Sequence, residues 1–458
     1  MHDGLVLVVS RDRSPEFRWT AWLGPWKPRR VPSPAPDRPR SSLGAARTAP
    51  VLPDGLVLRA SRPADLDQIG ALLAARGEDE DAVDHRLVVQ DPDLGWEACA
   101  VVVDGDRVVS TATLLDESVR VGDVVLPAGQ IELVATDPAY EGRGLVRALM
   151  AWAHARSAER GHLLQVIIGI PYFYRRFGYE YAIEIPPARR LSGPVVPGTV
   201  GGEAEHGLDR NEVLRPAEPR DLPTLAALQQ AAQSRYDVAL PHPAARWRWL
   251  MEHSASRTVV LERDRAVVAS ARLWEGDGEL LLAEPTAVDP QAARGLLALA
   301  TADRSTVNVV HRAGTTTGEA WEGLLDAPGD AAEQYYVRIA DPSAVLDALR
   351  PVLHRRILVA GIDRFGAELV ISTFGAHYRM AVTADGLGPV RVGGPMQSPG
   401  AVGGIGVAPD QLGALLFGGR GFFGLSRIRP DVYAPDSEPA ALLFPPQSAD
   451  LLTYYLPW

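Results

Sequence analysis

Between about residues 55 and 335 the sequence repeats itself, and this duplication limits the possible folds more than any other feature. In both copies a Pro-x-Asp-Leu start precedes apolar residues at helical spacing, a Val-Val-x-x-Ala-x-Leu strand follows, and an Ala-x-Asp-Pro stretch leads into another helical pattern. The three matches begin at Arg59 and Arg215, at Val108 and Val267, and at Ala135 and Ala287. Ordered matches at offsets of 151 to 159 residues predict two tandem copies of one domain.

The pattern changes after residue 335, where a region without a repeat counterpart begins. The triplet Asp-Pro-Ser at Asp341 is typical of a capped helix start, strand-like runs lie at 368–373 and 378–383, and residues 409–417 have a helical pattern. We therefore expect an α/β (α+β) protein with two tandem mixed sheets flanked by helices, followed by a separate α+β unit. The expected domains are a leader at 1–54, a first unit at 55–195, a second unit at 196–335 and a third unit at 336–458.

The first 54 residues differ in composition from the rest of the chain. They contain nine Lys or Arg and five Asp or Glu, a net charge of +4, which leaves −15 for the remaining residues out of a total of −11. Eight prolines between Pro25 and Pro53 oppose helix and strand formation and favour extended chain. Trp19, Trp22 and Trp26, beside Arg29 and Arg30, leave alternatives open: a docking segment for an acidic partner, a dispensable leader, or a start codon assigned too far upstream.

Composition and charge exclude several classes of protein. No uncharged apolar stretch approaches the eighteen residues of a membrane span, and Cys99 is the only cysteine, so we expect neither a membrane segment nor an internal disulfide. The histidines show no metal-ligand spacing. The net negative charge opposes general binding to nucleic acid and favours cations. We expect a cytoplasmic homo-oligomer that needs no metal and binds neither nucleic acid nor membrane.

The stretch from Gln130 to Met150 carries the most information about chemistry. A β-branched strand, a short loop with Gly142 and Gly144, and apolar residues at helical spacing predict strand, turn and helix. The two glycines let the backbone turn tightly, so that the N–H groups of residues 142–147 line a helix N-terminus, which suits a pyrophosphate. Neither a G-x-x-x-x-G-K-[ST] loop nor a complete G-x-G-x-x-G motif is present.

A second strand, at 163–169, runs into an aromatic turn, Ile-Pro-Tyr-Phe-Tyr-Arg-Arg-Phe-Gly-Tyr, at 170–179. Together with the Asp-Pro-x-x-x-Gly-x-Gly loop, this order resembles the GCN5-related N-acetyltransferases (GNAT enzymes). In that family the strand before the loop splays from its neighbour, the pantetheine arm lies in the opening, and the loop amides hold the coenzyme A pyrophosphate. The resemblance implies that the pantetheine and acetyl group contact Val134, Ala135 and Thr136. It implies that the pyrophosphate contacts Gly142, Arg143, Gly144, Leu145, Val146 and Arg147. Gly169 and Ile170 would then lie at the end of the other splayed strand.

The motif departs from the family pattern at two positions. Its first residue, usually Arg or Gln, is Glu141, and its last, usually Gly or Ala, is Val146. The contact is made by backbone amides, and Arg143 and Arg147 can offset the charge of Glu141. Two tandem GNAT-like units followed by a region like sterol carrier protein resemble the Eis-like acetyltransferases, whose second unit has lost the coenzyme site. The second loop here, at 289–295, is one residue shorter and keeps one glycine, so we expect it to be structural.

The resemblance also implies catalytic groups. Tyr174 matches the tyrosine that serves as the general acid in the Eis-like enzymes, and the ordinary pKa of a phenol, about 10, keeps it protonated. The same family uses the carboxylate of its last residue as the base, which here is Trp458. Glu132 is the alternative base, because it shares a strand face with Gln130, which stands where simpler GNAT enzymes carry a catalytic glutamate.

The sequence thus predicts an acetyl-coenzyme A dependent N-acetyltransferase. It would move the acetyl group directly to a primary amine of a cationic small molecule or of a lysine side chain, so its partners would be a coenzyme A thioester and an amine. No cysteine nucleophile lies near the motif, which agrees with direct transfer. The acidic run at 78–81 either attracts such an amine or is a solvated face. The alternative function is a catalytically silent GNAT-like scaffold whose last domain binds an apolar ligand or a partner protein.

Overall fold

The structure is a computed structural model of the chain, and it describes residues 52–53, 55–185, 188–193, 211–254, 256–276, 278–302, 304, 306–329 and 334–451. The expectations for the leader up to residue 51 and for Trp458 lie outside these described residues. Within them, the strands form three sheets.

The first unit follows the predicted order of a strand, a helix, a meander and a strand–loop–helix, and a second helix, which was not predicted, precedes the meander. Its strands are β1 (Val57–Ala60), β2 (Cys99–Asp104), β3 (Arg107–Val121), β4 (Val124–Thr136), β5 (Leu164–Ile167) and β6 (Glu180–Glu184). Its helices are α1 (Leu66–Arg76), α2 (Asp79–Gln90) and α3 (Leu145–Glu159).

The second unit repeats this order. Its strands are β7 (Ala188–Arg190), β8 (Glu212–Pro216), β9 (Val238–Ala239), β10 (Ser256–Arg263), β11 (Ala266–Gly276), β12 (Glu279–Ala287) and β13 (Thr306–Val310). Its helices are α4 (Leu222–Gln233), α5 (Ala244–Glu252), α6 (Pro290–Ala300) and α7 (Thr316–Trp321). Six of the strands form one sheet in the order β7-β13-β12-β11-β10-β8.

The repeated Pro-x-Asp-Leu start has the same structure in both units. In the first unit Asp65 accepts a hydrogen bond from the backbone N–H of Arg62 at 2.8 Å and pairs with Arg59 of β1 at 2.6 Å. In the second unit Asp221 pairs in the same way with Arg215 of β8 at 2.7 Å. The aspartate therefore ties the first helix of each unit to the preceding strand, which explains the recurrence of the arginine and the aspartate together.

The remaining chain supplies a strand to the first sheet and then forms the third unit. The strands are β14 (Gln334–Ile339), β15 (Glu368–Ser372), β16 (His377–Thr383), β17 (Gly386–Leu387), β18 (Arg391–Gly393), β19 (Ile405–Gly406) and β20 (Ala449–Asp450). The helices are α8 (Pro342–Ala348), α9 (Arg350–Ala360), α10 (Leu412–Phe417), α11 (Gly421–Ile428) and α12 (Ser437–Leu443). The third sheet has the order β17-β16-β15-β19, with β18 also beside β16.

The units exchange strands. The first sheet has the order β1-β2-β3-β4-β5-β14-β6, so β14, which follows the second unit in sequence, lies between β5 and β6 and is antiparallel to both. Strand β7, which follows the first unit, pairs with β13 at the edge of the second sheet. Strands β9 and β20 extend the first sheet beside β3. The second unit is therefore inserted in sequence between β6 and β14, two strands that pair with each other in the first sheet.

The largest hydrophobic core joins the first sheet to the third unit. Val166 of β5 and Val337 of β14 belong to the same buried cluster as Leu346, Ile371 and Phe417 of the third unit. The predicted fold class, α/β with mixed sheets flanked by helices, is confirmed, whereas the domain limits stay predictions. No helix in the described part of the chain is long and apolar enough to cross a membrane.

The central position of β14 is testable by placing a charge in it. Val337 is 4% exposed, so Val337→Asp should lower the free energy of unfolding by roughly 2–7 kcal/mol, because a polar group without a partner enters the core. The matched control is Val213→Asp in strand β8, where the side chain is 57% exposed and the change should stay within about 0.5 kcal/mol. Guanidinium denaturation followed by circular dichroism measures both. Equal losses would contradict a central β14.

Candidate active site

Strand β4 carries a bulge near its end. The register between β3 and β4 shifts there, so that Leu133 and Val134 of β4 together face the single residue Ala112 of β3. Leu133 has a φ of 53°, a left-handed value that is costly for a bulky side chain. A bulge of this kind bends the strand and increases its twist.

Strand β4 parts from its parallel neighbour β5 just before this bulge. Backbone pairing joins residues 128–130 of β4 to residues 164–166 of β5. Among the described residues, the two strands do not pair beyond this point. Residues 134–136, predicted to contact the pantetheine, lie in the part of β4 that no longer pairs with β5, and Gly169 and Ile170 follow the end of β5. The two strands therefore form an opening in which the ladder no longer pairs the facing backbone groups.

The β3 side of β4 stays closed where β5 has separated. The hydroxyl of Ser110 donates to the carbonyl of Ala135 at 2.9 Å and lies 2.7 Å from the hydroxyl of Thr136. Val134 is half-buried and packs against the hydrophobic residues next to Tyr174. This side of the opening is therefore held in place by the neighbouring strand.

The loop after β4 turns through two left-handed glycines. Gly142 has a φ of 74° and Gly144 a φ of 82°, and no atom lies within 4 Å of the position that a Cβ would take at either residue. Gly144 is the N-cap of α3, so the N–H groups of the first helical turn, from Leu145 on, have few acceptors within the helix. Arg143 and Arg147 are exposed beside them. An uncovered helix N-terminus of this kind fits an anion.

The carboxylate of Glu141, the unusual first residue of the motif, is paired. It accepts from the guanidinium of Arg76, in the last turn of α1, at 2.6 Å. Arg143 lies instead over the ring of Tyr140, 4.6 Å from its centroid. The charge of Glu141 is thus offset by Arg76 of α1 rather than by the arginines of the loop. The sequence did not indicate this partner, because Arg76 lies 65 residues away along the chain.

Tyr174 lies in a short 3-10 helix after the opening. Its side chain is 5% exposed, and its ring packs against Gly169 so closely that a Cβ there would lie 2.5 Å from the ring carbon Cε2. Its hydroxyl has no hydrogen-bond partner among the described residues. Burial, and to a smaller degree the charge of Glu132, raise the pKa of Tyr174 above its ordinary value, so the phenol is protonated at neutral pH.

Two further tyrosines hold the turn that carries Tyr174. The hydroxyl of Tyr336, on β14, donates to the carbonyl of Ile170 at 3.2 Å. It also lies 2.6 Å from the hydroxyl of Tyr181. The Tyr181 hydroxyl in turn accepts from the N–H of Tyr172 at 3.0 Å. The rings of Tyr181 and Tyr336 stack at 4.1 Å, and Tyr336 meets Tyr174 edge-on at 5.9 Å. Sequence reasoning missed Tyr336, because no local pattern places β14 beside β5.

Glu132 is buried on β4 beside the bulge. Its Oε1 accepts a hydrogen bond from the side-chain amide of Gln130, the residue expected on the same strand face. Its charge acts on Tyr174, so the structure brings the predicted acid and one of the two predicted bases into one site. Trp458, the other predicted base, lies outside the described residues. The catalytic and binding roles of all these residues stay predictions.

The acidic run at 78–81 begins helix α2. Glu78 is the N-cap, and the carboxylate of Asp81 accepts from the backbone N–H of Glu78 at 3.2 Å. Negative charge at this end of a helix interacts favourably with the helix dipole. The run therefore has a structural role, and its attraction for a cationic amine stays a prediction.

Comparisons with known proteins agree with this geometry. Residues 58–182 match the family model of the acetyltransferase (GNAT) domain. The N-acetyltransferases Eis of Mycobacterium tuberculosis (strain CDC 1551 / Oshkosh) and of Mycobacterium bovis (strain BCG / Pasteur 1173P2) are each 38% identical to the chain over 158 residues. The match covers 32% of this chain and 37% of each relative. The chain thus matches little more than a third of the length of these curated relatives.

Solved structures are similar over most of the chain. The GCN5-related N-acetyltransferase from Kribbella flavida covers 87% of this chain and 98% of its own, with 20% identity and a TM-score of 0.60. Eis1 from Mycobacterium abscessus covers 87% of this chain and 100% of its own, with 17% identity and a TM-score of 0.56. At these identities the likeness shows the fold.

The bulged strand, the glycine loop and the aromatic turn all lie within residues 58–182, and these residues form a GNAT acetyltransferase domain. The predicted likeness to GNAT proteins of the Eis-like type is confirmed. The likeness of the third unit to sterol carrier protein stays a prediction.

The contact between Tyr174 and Gly169 generates a prediction. Gly169→Ala should destabilise the protein by roughly 1–3 kcal/mol and displace the tyrosine ring, because the added Cβ overlaps it. Gly193→Ala is the matched control, since no atom lies within 4 Å of a Cβ there. Thermal unfolding and near-ultraviolet circular dichroism report the two effects. A Gly169→Ala protein with the stability and the spectrum of the control would refute the close contact.

Proposed function

We propose that the protein transfers an acetyl group from acetyl-coenzyme A to a primary amine of a cationic small molecule or of a lysine side chain. The observation that carries the proposal is Tyr174. It is a buried, protonated phenol with no hydrogen-bond partner among the described residues, and it lies against Gly169, where β5 has parted from β4. A proton donor held at such an opening is what a departing sulfur requires.

The residues around the opening fit the coenzyme. Acetyl-coenzyme A supplies an acetyl group activated as a thioester. The amides of residues 142–147 fit its pyrophosphate, because the two left-handed glycines leave the backbone uncovered at the N-terminus of α3. The edge of residues 134–136 that faces β5 has no ladder partner there, and it fits the amides of the pantetheine arm. Glu141, paired with Arg76, leaves little uncompensated charge to oppose a phosphate.

Direct transfer needs one proton donor and one proton acceptor. The neutral amine nitrogen forms a bond to the acetyl carbon, the bond from that carbon to sulfur breaks, and the nitrogen loses one proton while the sulfur gains one. Tyr174 gives its proton to the sulfur. Because its pKa is raised, the phenolate left behind is a strong base and recovers a proton readily.

Two carboxylates are candidates for the proton acceptor. Glu132 is buried beside the bulge, its Oε1 is oriented by Gln130, and its charge acts on Tyr174. The carboxylate of Trp458 is the candidate that the family resemblance supplies. A carboxylate at this place also favours a cationic acceptor, because it attracts the ammonium form before removing a proton.

Two observations support an amine as the acetyl acceptor: the net charge of the chain and its similarity to named N-acetyltransferases. The chain after residue 54 carries a net −15, which attracts cations. The relatives that match are named N-acetyltransferases, which supports nitrogen as the acceptor atom. A homo-oligomeric state, a cytoplasmic location and the absence of nucleic-acid binding are retained as predictions.

The function is tested with a panel of amines, mass spectrometry and the variant Tyr174→Phe. We expect acetylated product from the native protein and a kcat lower by roughly 100-fold or more in the variant, because the proton donor is lost. Calorimetric titration should give the same acetyl-coenzyme A affinity for both, since the backbone site is untouched. A silent scaffold would yield no product and need not bind the coenzyme. Unchanged turnover of the variant would remove Tyr174 from the mechanism.

The base is tested with Glu132→Gln, which keeps the shape of the side chain and removes its charge. If Glu132 is the base, kcat should fall roughly 100-fold. Glu97→Gln is the control, since its carboxylate is 75% exposed and lies on the surface with Arg156. Full activity of Glu132→Gln would exclude Glu132 and leave Trp458, in which case a few residues appended after Trp458 should abolish turnover.

A further inference from the structure

The turn that follows β5 has a tyrosine at a position that favours glycine. The N–H of Phe173 donates to the carbonyl of Ile170 at 3.2 Å, which closes a turn with Pro171 and Tyr172 at its centre. Tyr172 has a φ of 67° and a ψ of -20°. A proline followed by a residue of positive φ is the pattern of a type II turn, in which the second central residue is usually glycine. A bulky side chain at this position strains the backbone.

The second unit repeats the strand opening of the first and so permits a comparison. At the position that corresponds to Leu133, strand β12 has a bulge in which Glu284 and Pro285 face Ala271 of β11, and Glu284 has a φ of 49°. Among the described residues, β12 pairs with β13 over 279–282 and no further. The backbone geometry of the coenzyme opening is therefore present twice.

The turn that follows β13 has the residue that its conformation favours. The N–H of Thr315 donates to the carbonyl of Arg312 at 3.2 Å, so Ala313 and Gly314 are the central residues of this turn. Gly314 has a φ of 73°, close to the value at Tyr172. The same kind of turn thus forms with glycine in one unit and with tyrosine in the other. The turn itself does not require the tyrosine ring.

Arg312 occupies the second opening. Its Nη1 donates to the carbonyl of Pro285 at 3.2 Å, and its guanidinium pairs with Asp450 at 2.5 Å, with side chains that are 0% and 1% exposed. Helix α6 begins directly after its cap, Asp289, and no glycine lies between β12 and this helix. The strained tyrosine therefore occurs in the unit whose opening and helix N-terminus are uncovered, which associates the ring with a ligand rather than with the fold.

The ring of Tyr172 is both exposed and held in place. The residue is 72% exposed, and its backbone N–H donates to the hydroxyl of Tyr181 at 3.0 Å. The guanidinium of Arg175 lies over the ring, 5.0 Å from its centroid, and pairs with Glu180 at 2.5 Å. An aromatic ring with a fixed guanidinium beside it is a surface on which a flat heterocycle can stack.

The surroundings of Tyr172 are positively charged. Because β4 and β5 are parallel, the loop after β4 and the turn after β5 lie at the same edge of the sheet. Arg143, Arg147 and Arg176 are exposed at this edge, and none of the three has an ion-pair partner among the described residues. The chain after residue 54 carries a net −15 overall. This local positive charge repels a cationic amine and attracts phosphate groups.

Another tyrosine at the same edge is already covered. Arg143 and Arg107 lie 4.6 and 5.7 Å from the centroid of the Tyr140 ring, and the hydroxyl of Tyr140 donates to Asp104 at 2.6 Å. Two guanidinium groups thus already contact this ring. Of the two tyrosines, Tyr172 is the one that is open to a ligand.

We propose that Tyr172, with Arg175 and Arg176, binds the adenosine 3′-phosphate end of the coenzyme. The adenine stacks on the open part of the Tyr172 ring, and the guanidinium of Arg176 attracts the 3′-phosphate. Coenzyme A combines a purine with phosphate groups on both sides of its ribose, which is the chemistry that an aromatic ring among arginines recognises. The site rests on the proposed use of a coenzyme A thioester and extends it from the pantetheine arm to the nucleotide.

The first test is Tyr172→Gly, which removes the ring and introduces the residue found in the second unit. Calorimetric titration should give an affinity for coenzyme A that is about tenfold lower, because the stacking of the base is lost. The midpoint of thermal unfolding, Tm, should stay within about 2 °C of the native value or rise, because glycine removes the backbone strain. Tyr172→Phe keeps the ring and should bind coenzyme A like the native protein.

The matched control is Phe423→Ala, which removes an exposed aromatic ring from α11 of the third unit. Phe423 is 53% exposed, and its loss should leave the affinity for coenzyme A unchanged. An equal loss of affinity in this control would overturn the assignment to Tyr172.

Fragments of the coenzyme test which part of it the ring contacts. The affinity for 4′-phosphopantetheine, which lacks the adenosine, should be the same in the native and the Tyr172→Gly proteins. Arg176→Gln should weaken coenzyme A about threefold and leave the affinity for 3′-dephospho-coenzyme A unchanged, because that fragment lacks the phosphate which the arginine attracts. Equal losses for phosphopantetheine and coenzyme A in Tyr172→Gly would place the ring on the arm and overturn the proposal.

The proposal and the proposed function fail separately. Unchanged coenzyme A affinity in Tyr172→Gly, with a raised KM for the amine, would assign the ring to the acceptor and refute the nucleotide site. A Tm lowered by more than about 5 °C would refute it too, because the ring would then support the fold. A native protein that binds coenzyme A and acetylates no amine refutes the transfer alone, since the calorimetric comparison still decides the nucleotide site.

Discussion

The bulge at Leu133 and Val134 is the irregularity on which the proposed chemistry depends. A parallel ladder satisfies the facing backbone groups of both strands, and here the ladder between β4 and β5 ends after three pairs, next to the point where β4 takes up an extra residue against β3. The edge left unpaired is where a thioester arm can be held by main-chain groups. The glycine loop lies at the end of the same strand, and Tyr174 packs where β5 ends, so one bend places all three parts of the proposed site.

Strand exchange makes the site a property of the whole chain. The first sheet is completed by β14, and the hydroxyl of Tyr336 on that strand holds the turn before Tyr174. The first sheet also shares its largest core with the third unit. The second unit therefore cannot be treated as an independent module, because both of its ends continue into strands or cores that the first unit needs.

The duplicated bulge shows how one backbone geometry supports two kinds of occupant. In the first unit the opening is followed by uncovered amides, which suit a negatively charged coenzyme. In the second unit helix α6 starts at once, and Arg312 fills the opening with a positive charge whose partner is Asp450. The difference lies in a few side chains and in the loop, while the strand register is the same.

The sequence by itself determined the duplication, the order of strands and helices, the glycine loop and the aromatic turn, and through them the family. These features are encoded by neighbouring residues, since periodicity and turn preferences act over a few positions. Only the tertiary structure decided that Arg76 neutralises Glu141, that Tyr336 supports Tyr174, and that Arg312 binds Asp450 across 138 residues. These long-range pairings are determined by which strands the sheets exchange and by which charged side chains become buried next to each other. A local pattern of residues indicates neither.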